Sequence, residues 1–398
     1  VPAGTSAGGR VSAVLAPAVL APAVVALAAV IVAVSYTHET RGFLPAWIRW
    51  NYSGYEAKPA YPEFREVMQT MGRLPPGRAL WEPSSTIDKY GTTLALELLP
   101  HFTDGRIGSM EGLYFESAGT TPYHFMTVAE VAKQPSNPVR DLRYRTLADF
   151  DLGVRHMQLM GVRYYMAQSD EAKAAADNHP GLGLVAETGS PDVQPHVARW
   201  RIYEVLESPL VEPLRNEPVV LEGVEPGEWL EPAAAWFDDP GALDRPLAAD
   251  GPSSWVRAEP DAARGVARRP LPEVEVTGIR SGDDWVSFEV SRPGVPVLVK
   301  TSYFPNWQAD GARGPYHVTP NLMVVVPTER EVSLHYGRTP VDFAGLGGTA
   351  LGVLGVVALA RWHPAPLPAR REDDAMAGEG TGEPGDGQPE DEPAPLLA

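Results

Sequence analysis

The sequence predicts a membrane-anchored α+β protein, with two transmembrane helices flanking an extracytoplasmic α/β domain and a C-terminal β-sandwich. Three observations predict it. Two uncharged apolar stretches, Val11–Val34 and Phe343–Ala360, bracket the chain. Helix-to-strand patterns recur in the first half of the region between them. Short alternating strands, separated by turn residues, fill its second half.

The spans follow from length. A helix rises about 1.5 Å per residue and a bilayer core is about 30 Å thick, so about 20 apolar residues cross it. Val11–Val34 is long enough with some tilt, and Val341 extends the second stretch past Asp342. Arg10 precedes the first span, and Arg361, Arg370 and Arg371 follow the second. Basic flanks stay cytoplasmic, which puts both termini inside and the main domain outside. Arg41 and Arg49 count against this orientation without reversing it. A cleaved signal peptide ending near Ala33-Val34-Ser35 competes for the first stretch, but its apolar core is longer than a signal core.

The organisation reads as a cytoplasmic end (1–10), a span (11–35), an interfacial aromatic segment (36–60) and an α/β domain (61–206). A Pro- and acid-rich connection (207–270), a β-sandwich (271–340), a second span (341–361) and an acidic cytoplasmic tail (362–398) follow. Trp47 and Trp50 belong to the aromatic segment, whose residue types suit the outer headgroup level or a sugar-stacking platform. In the α/β domain, Phe64, Val67, Met68 and Met71 recur at helical spacing, and Ala79–Trp81 reads as a strand. Leu152–Met160 reads as a helix, then Val162–Met166 and Trp200–Val205 as strands. The connection carries Trp229, Trp236, Phe237 and Trp255 to dock short elements. Beyond it, Trp285–Val290, Val297–Lys300, Leu322–Val326 and Val332–Tyr336 read as strands of a small sandwich.

The chain has 398 residues, no cysteine and a formal net charge of −18. Disulfides and thiolate metal sites are therefore excluded. Much of the acidity is local: Glu372–Glu392 holds nine carboxylates and no basic residue, the composition of a disordered tail. This balance argues against nucleic acid as a partner. The chain begins at Val1, which reads as an alternative start or as the back end of a longer protein. Small residues in both spans, including the Gly348/Gly352 pair, suit close helix packing with further spans or with each other.

No phosphate-binding loop, HExxH or GxSxG occurs, and no two histidines stand at metal-ligand spacing. No cofactor or metal is expected. Three polar stretches follow predicted strands: Trp81–Tyr90, Ser109–Glu116 and Thr121–His124. Carboxylates, hydroxyls and aromatics on such loops are the components of a sugar-binding cleft, and α/β sheets place ligands at strand ends. Candidate glycan-binding residues are Glu82, Asp88, Glu111, Glu116, His124, Trp47 and Trp50. The competing reading makes these residues caps and turns. A third reading uses the paired carboxylates for glycoside hydrolysis.

Tyr303, Pro305, Trp307, Ala309 and Gly311 form a Tyr-x-Pro-x-Trp-x-Ala-x-Gly pattern, followed by Val326-Pro327, Tyr336 and a terminal apolar helix. This run, with the helix–strand unit Gly153–Ala167, resembles the C-terminal end of large bacterial polytopic membrane proteins. These are the YfhO-like family and the actinobacterial set labelled 6-pyruvoyl-tetrahydropterin synthase-related. The resemblance implies the GT-C superfamily of glycosyltransferases, which use polyprenyl-phosphate-linked sugars outside the cytoplasm. The catalytic acid of that superfamily lies in the first outer loop among N-terminal spans, so no catalytic residue is carried over here. The resulting expectation is an extracytoplasmic portion that positions a glycan for cell-envelope assembly and is inactive alone. Its partners would be the lipid bilayer, a glycan or polyprenyl-phosphate-linked sugar, and the missing N-terminal spans of a parent protein. The alternative is a complete two-span membrane protein whose outer domain binds or scaffolds.

Overall fold

Alternating apolar residues first decide where the sheets form. A computed structural model describes residues 17–39, 44–112, 118–134, 146–147, 149–189 and 199–362. The chain divides into two units, Val1–Gly337 and Arg338–Ala398.

The first unit opens with helices α1 (Pro17–Glu39) and α2 (Leu44–Tyr52). Next come α3 (Tyr61–Gly72), β1 (Gly77–Trp81), α4 (Leu99–Phe102) and β2 (Ile107–Ser109). Helices α5 (Thr121–Val131) and α6 (Phe150–Leu159) lead to β3 (Val162–Ala167), α7 (Asp170–Asp177), β4 (Leu182–Glu187) and β5 (Arg201–Val205). The strand order is β2-β1-β3-β5-β4, with β2, β1 and β3 mutually parallel and β5 antiparallel to both neighbours. Successive side chains of a strand face opposite sides. Ala79, Trp81, Tyr164 and Met166 accordingly pack with Phe64, Val67 and Met71 of α3, while Leu80 and Tyr165 pack with Val128, Val154 and Met157 of α5 and α6. Both faces of this sheet are covered, as parallel strands require.

Residues 207–270 are not structureless. They supply β6 (Val211–Pro213), β7 (Val219–Leu221), α8 (Leu230–Phe237), β8 (Leu247–Ala248), β9 (Arg257–Ala258) and α9 (Pro260–Ala263). The rest of the unit is β10 (Val276–Ser281), β11 (Trp285–Val290), β12 (Val297–Val299), β13 (Trp307–Asp310), β14 (Ala312–Val318), β15 (Leu322–Pro327) and β16 (Glu331–Tyr336). A seven-stranded sheet runs β6-β12-β15-β14-β8-β7-β9, and a four-stranded sheet runs β10-β11-β16-β13. Val286, Phe288, Val332 and Leu334 of the smaller sheet share one core with Val297, Val299, Met323 and Val325 of the larger. The alternate residues Leu298, Val324 and Val326 face a second core with Val220 and Trp255. This explains why β15 is buried along its whole length and reads as an unbroken apolar run. Truncating Phe288 to Ala in such a core costs about 3–5 kcal/mol.

Two spans are expected from the sequence. Among the described residues, one helix is long and apolar enough to cross a membrane, α10 (Pro340–Arg361) of the second unit. Its start is fixed by a capping box in which Asp342 accepts the Thr339 backbone N–H at 2.6 Å and hydroxyl at 2.8 Å. In α1 the qualifying apolar portion is Pro22–Tyr36, shorter than a span needs. The predicted first span, 11–35, begins among residues outside those described.

Candidate functional site

Strand β1 lies between β2 and β3, and all three run the same way. The chain leaves β1 for β2 on one side and returns through α5 and α6 to β3 on the other. At such a switch of direction, the connections diverge and leave a crevice at the carboxyl ends of the strands. The residues placed there are Glu82–Thr86 after β1, Met110–Gly112 after β2, and Gln168–Ser169 after β3.

A cavity of about 310 Å³ occupies this position, lined by Ser84, Ser85, Thr86, Lys133, Gln134 and Gln168 together with Glu82 and Ser169. Glu82 is 2% exposed, and its carboxylate accepts four hydrogen bonds. The donors are the backbone N–H groups of Gln168 (2.8 Å), Ser169 (2.7 Å) and Lys133 (3.1 Å), and the Ser169 hydroxyl (2.6 Å). A buried carboxylate is tolerated only when hydrogen-bonded in this way. Ser169 is also the N-cap of α7, its oxygen accepting the Ala172 N–H at 3.2 Å. Across the cavity, Ser84 caps the short 3₁₀ helix Ser85–Tyr90 by accepting the Thr86 N–H.

Gln168 ties the loop after β3 to the loop after β1. It is 8% exposed, and its Oε1 accepts the Thr86 hydroxyl at 2.7 Å. That bond directs the amide nitrogen away from Thr86, and Nε2 is buried without a partner. Lys133 pairs with Glu171 at 2.6 Å, which raises the lysine and lowers the carboxylate. Glu82 and Lys133 are the charged residues that line the cavity, one of each sign. The hydroxyls and amides of this lining can hold a neutral, hydroxyl-bearing ligand.

The other sequence candidates lie elsewhere. Glu111 follows β2, and its Oε2 is 3.4 Å from Nε2 of His124, both side chains nearly buried. His124 sits in the first turn of α5; Thr121–His124, expected as a loop, starts this helix with Pro122 in its first turn. Asp88 is an exposed residue of the 3₁₀ helix, with its carbonyl accepting the Gly91 N–H. Glu116 lies outside the described residues. Trp47 is exposed on α2, whereas Trp50 donates from Nε1 to the Gly91 carbonyl at 3.2 Å and stacks on the Lys58 ammonium at 4.2 Å. Sequence reasoning missed Gln168, Lys133 and Ser169. A signal existed for Ser169: a serine followed by Asp170 and Glu171, directly after a strand, is a helix start.

A groove of about 1130 Å³ also includes Lys300 and Glu212. Burial pushes the Lys300 ammonium down, but it is already held by Glu212 at 2.9 Å and the Gln158 carbonyl at 2.7 Å. Among the described residues, no group of three or more His, Asp or Glu side chains is arranged to hold a metal ion.

No protein-family model matches the chain, and no curated protein matches it. Among solved structures, the chain is similar to the mycobacterial arabinofuranosyltransferase AftD, at 15% identity and a TM-score of 0.31. The match covers 78% of this chain and 33% of that one, so the chain spans about a third of the length of the structure it matches.

Proposed function

We propose that this chain is the membrane-anchored, extracytoplasmic C-terminal portion of a GT-C-like integral-membrane protein of cell-envelope glycan assembly. In this reading it has two spans, both termini cytoplasmic, and an outer α/β domain joined to a β-sandwich. The α/β domain binds a neutral sugar in the cavity at the carboxyl ends of β1 and β3 and positions it; the reacting groups belong to N-terminal spans of the parent protein. The observation that carries the reading is the set of hydroxyls and amides (Ser84, Ser85, Thr86, Gln134 and Gln168) that lines the cavity. Glu82 supports binding over hydrolysis, because four donors already occupy its carboxylate. The Tyr303–Gly311 pattern and the apolar α10 support the membrane and envelope context.

The test is calorimetric titration of the purified chain with neutral oligosaccharides of the cell envelope, set against sugar phosphates. The expected result is saturable binding of a neutral sugar and at least tenfold weaker binding by Gln168→Leu at an unchanged melting temperature. Binding that survives Gln168→Leu, or preference for the phosphates, would overturn the reading.

A further inference from the structure

Helix α2 carries two different faces. Leu44, Trp47, Ile48 and Tyr52 fall at i, i+3, i+4 and i+8, the spacing of one helical stripe. All four are exposed, Tyr52 to 87%, and α2 has no buried residue. Trp50 points off this stripe and is fastened to the domain. Its Nε1 donates to the Gly91 carbonyl, and Lys58 Nζ lies over its ring and donates to the Trp50 carbonyl and to the Ser53 hydroxyl. Lys58 is itself 6% exposed, so the attachment is built into the domain. Gly91 closes the 3₁₀ helix Ser85–Tyr90, the element that brings Ser85 and Thr86 to the cavity. A side chain at Gly91 would press on Lys58, and its φ of +129° disfavours any other residue.

We propose that the α2 stripe lies in the headgroup region of a lipid bilayer and holds the β1/β3 cavity at a fixed height above it. Two observations name lipid as the occupant. Helix α1 ends at Glu39, shortly before α2, and from Pro22 to Tyr36 every side chain on it is exposed and most are apolar. One surface then satisfies both helices. A second copy of the chain is the poorer fit: four such side chains offer on the order of 500 Å², against about 800 Å² per partner in a stable interface. Trp and Tyr with aliphatic neighbours are the residues that settle at the membrane–water boundary. The proposal rests on the membrane anchorage proposed above and extends it: a sugar carried on a lipid would meet the cavity at one depth.

The absence of cysteine makes single-cysteine spin labelling clean. Ile48→Cys and, as a control in the exposed β10–β11 turn, Asp283→Cys are labelled in the full chain in phosphatidylcholine nanodiscs. Collision rates with oxygen and with a neutral nickel chelate are then measured. The expected result is at least threefold less nickel contact at 48 than at 283, with oxygen contact raised at 48. Equal nickel access at the two sites would overturn the proposal. Spin–spin broadening at 48 that persists in detergent would also overturn it, by placing a second copy on the stripe. Sugar titration on the same nanodiscs separates the two readings. Lost sugar binding with an immersed label sinks only the cavity, whereas retained binding with a water-exposed label sinks only the docking of α2.

Discussion

Ser169 binds Glu82 twice, through its backbone N–H to Oε2 at 2.7 Å and through its hydroxyl to Oε1 at 2.6 Å. The same serine caps α7, so one carboxylate joins the end of β1, the end of β3 and the start of a helix. The cavity walls are therefore set by a buried ionic group and not by loop packing. Gln168, one residue earlier, inherits its position from this clamp, with its own N–H also bound to Glu82.

Glu82→Gln tests the clamp. An amide of the same shape keeps one acceptor oxygen and turns an NH₂ group toward N–H donors. The expected loss is about 2–4 kcal/mol of stability, from hydrogen bonds to a charged group and an unsatisfied buried donor. Urea denaturation followed by tryptophan fluorescence reads it, and an unchanged midpoint would show that the four bonds contribute little.

A second buried pair ties α5 to α6. His156 Nδ1 is 2.6 Å from Glu130 Oε2, its Nε2 donates to the Phe237 carbonyl at 2.8 Å, and its ring stacks on Phe237 with centroids 3.6 Å apart. Each substitution breaks this contact and leaves the remaining buried polar group one partner short, so His156→Leu and Glu130→Leu should each cost about 1–3 kcal/mol. The double variant should cost less than the sum of the two. A double-mutant cycle on denaturation midpoints decides this, and strict additivity would mean the two groups do not interact.

The long periodic elements were legible because their own residues define them. Phe64, Val67, Met68 and Met71 mark α3 before any tertiary contact is considered, and Trp285–Val290 alternates as β11 does. Strands β7, β8 and β9 have two or three residues each, too few for a period, and exist only through pairing with distant segments. The same distance hid part of the site. The polar run after β1 is visible in the sequence, but Gln168 joins it only through its bond to Thr86, 82 residues away. Thr121–His124 reads as a loop because its polar and proline residues suit one, yet proline suits a first helical turn equally well.

Gly311→Ala probes the turn between β13 and β14. Gly311 has a φ of +72°, its carbonyl accepts the N–H groups of Thr328 and Glu329, and a Cβ there would collide with the Glu331 carbonyl. The left-handed backbone alone costs a non-glycine residue about 1–3 kcal/mol, and the collision adds to it. The melting temperature should fall, while Gly294→Ala, where nothing lies near the added Cβ, should fall less. Equal losses would assign the effect to backbone strain alone.

His317 makes stability depend on pH in a definite direction. Its ring stacks on Tyr303 with centroids 4.4 Å apart, Trp229 packs against it at 4.5 Å, and Nε2 is buried without a partner. Burial outweighs the opposing hydrogen bond with Asn321 and pushes the imidazole down to about 4. In the unfolded chain a histidine titrates near 6.5. Between these values the unfolded state holds a proton that the folded state refuses, so stability rises with pH across that window and is level above it. The contribution is complete above about 6.5 and is lost as the pH falls toward about 4. His317→Phe keeps an aromatic ring in the stack and removes the titration. The melting temperature of the variant should therefore fall less than that of the parent between pH 7 and pH 4.5, and the gap should close again above pH 7. Parallel pH profiles would show that the folded chain protonates His317 as readily as the unfolded one, and the stack would then carry no such penalty.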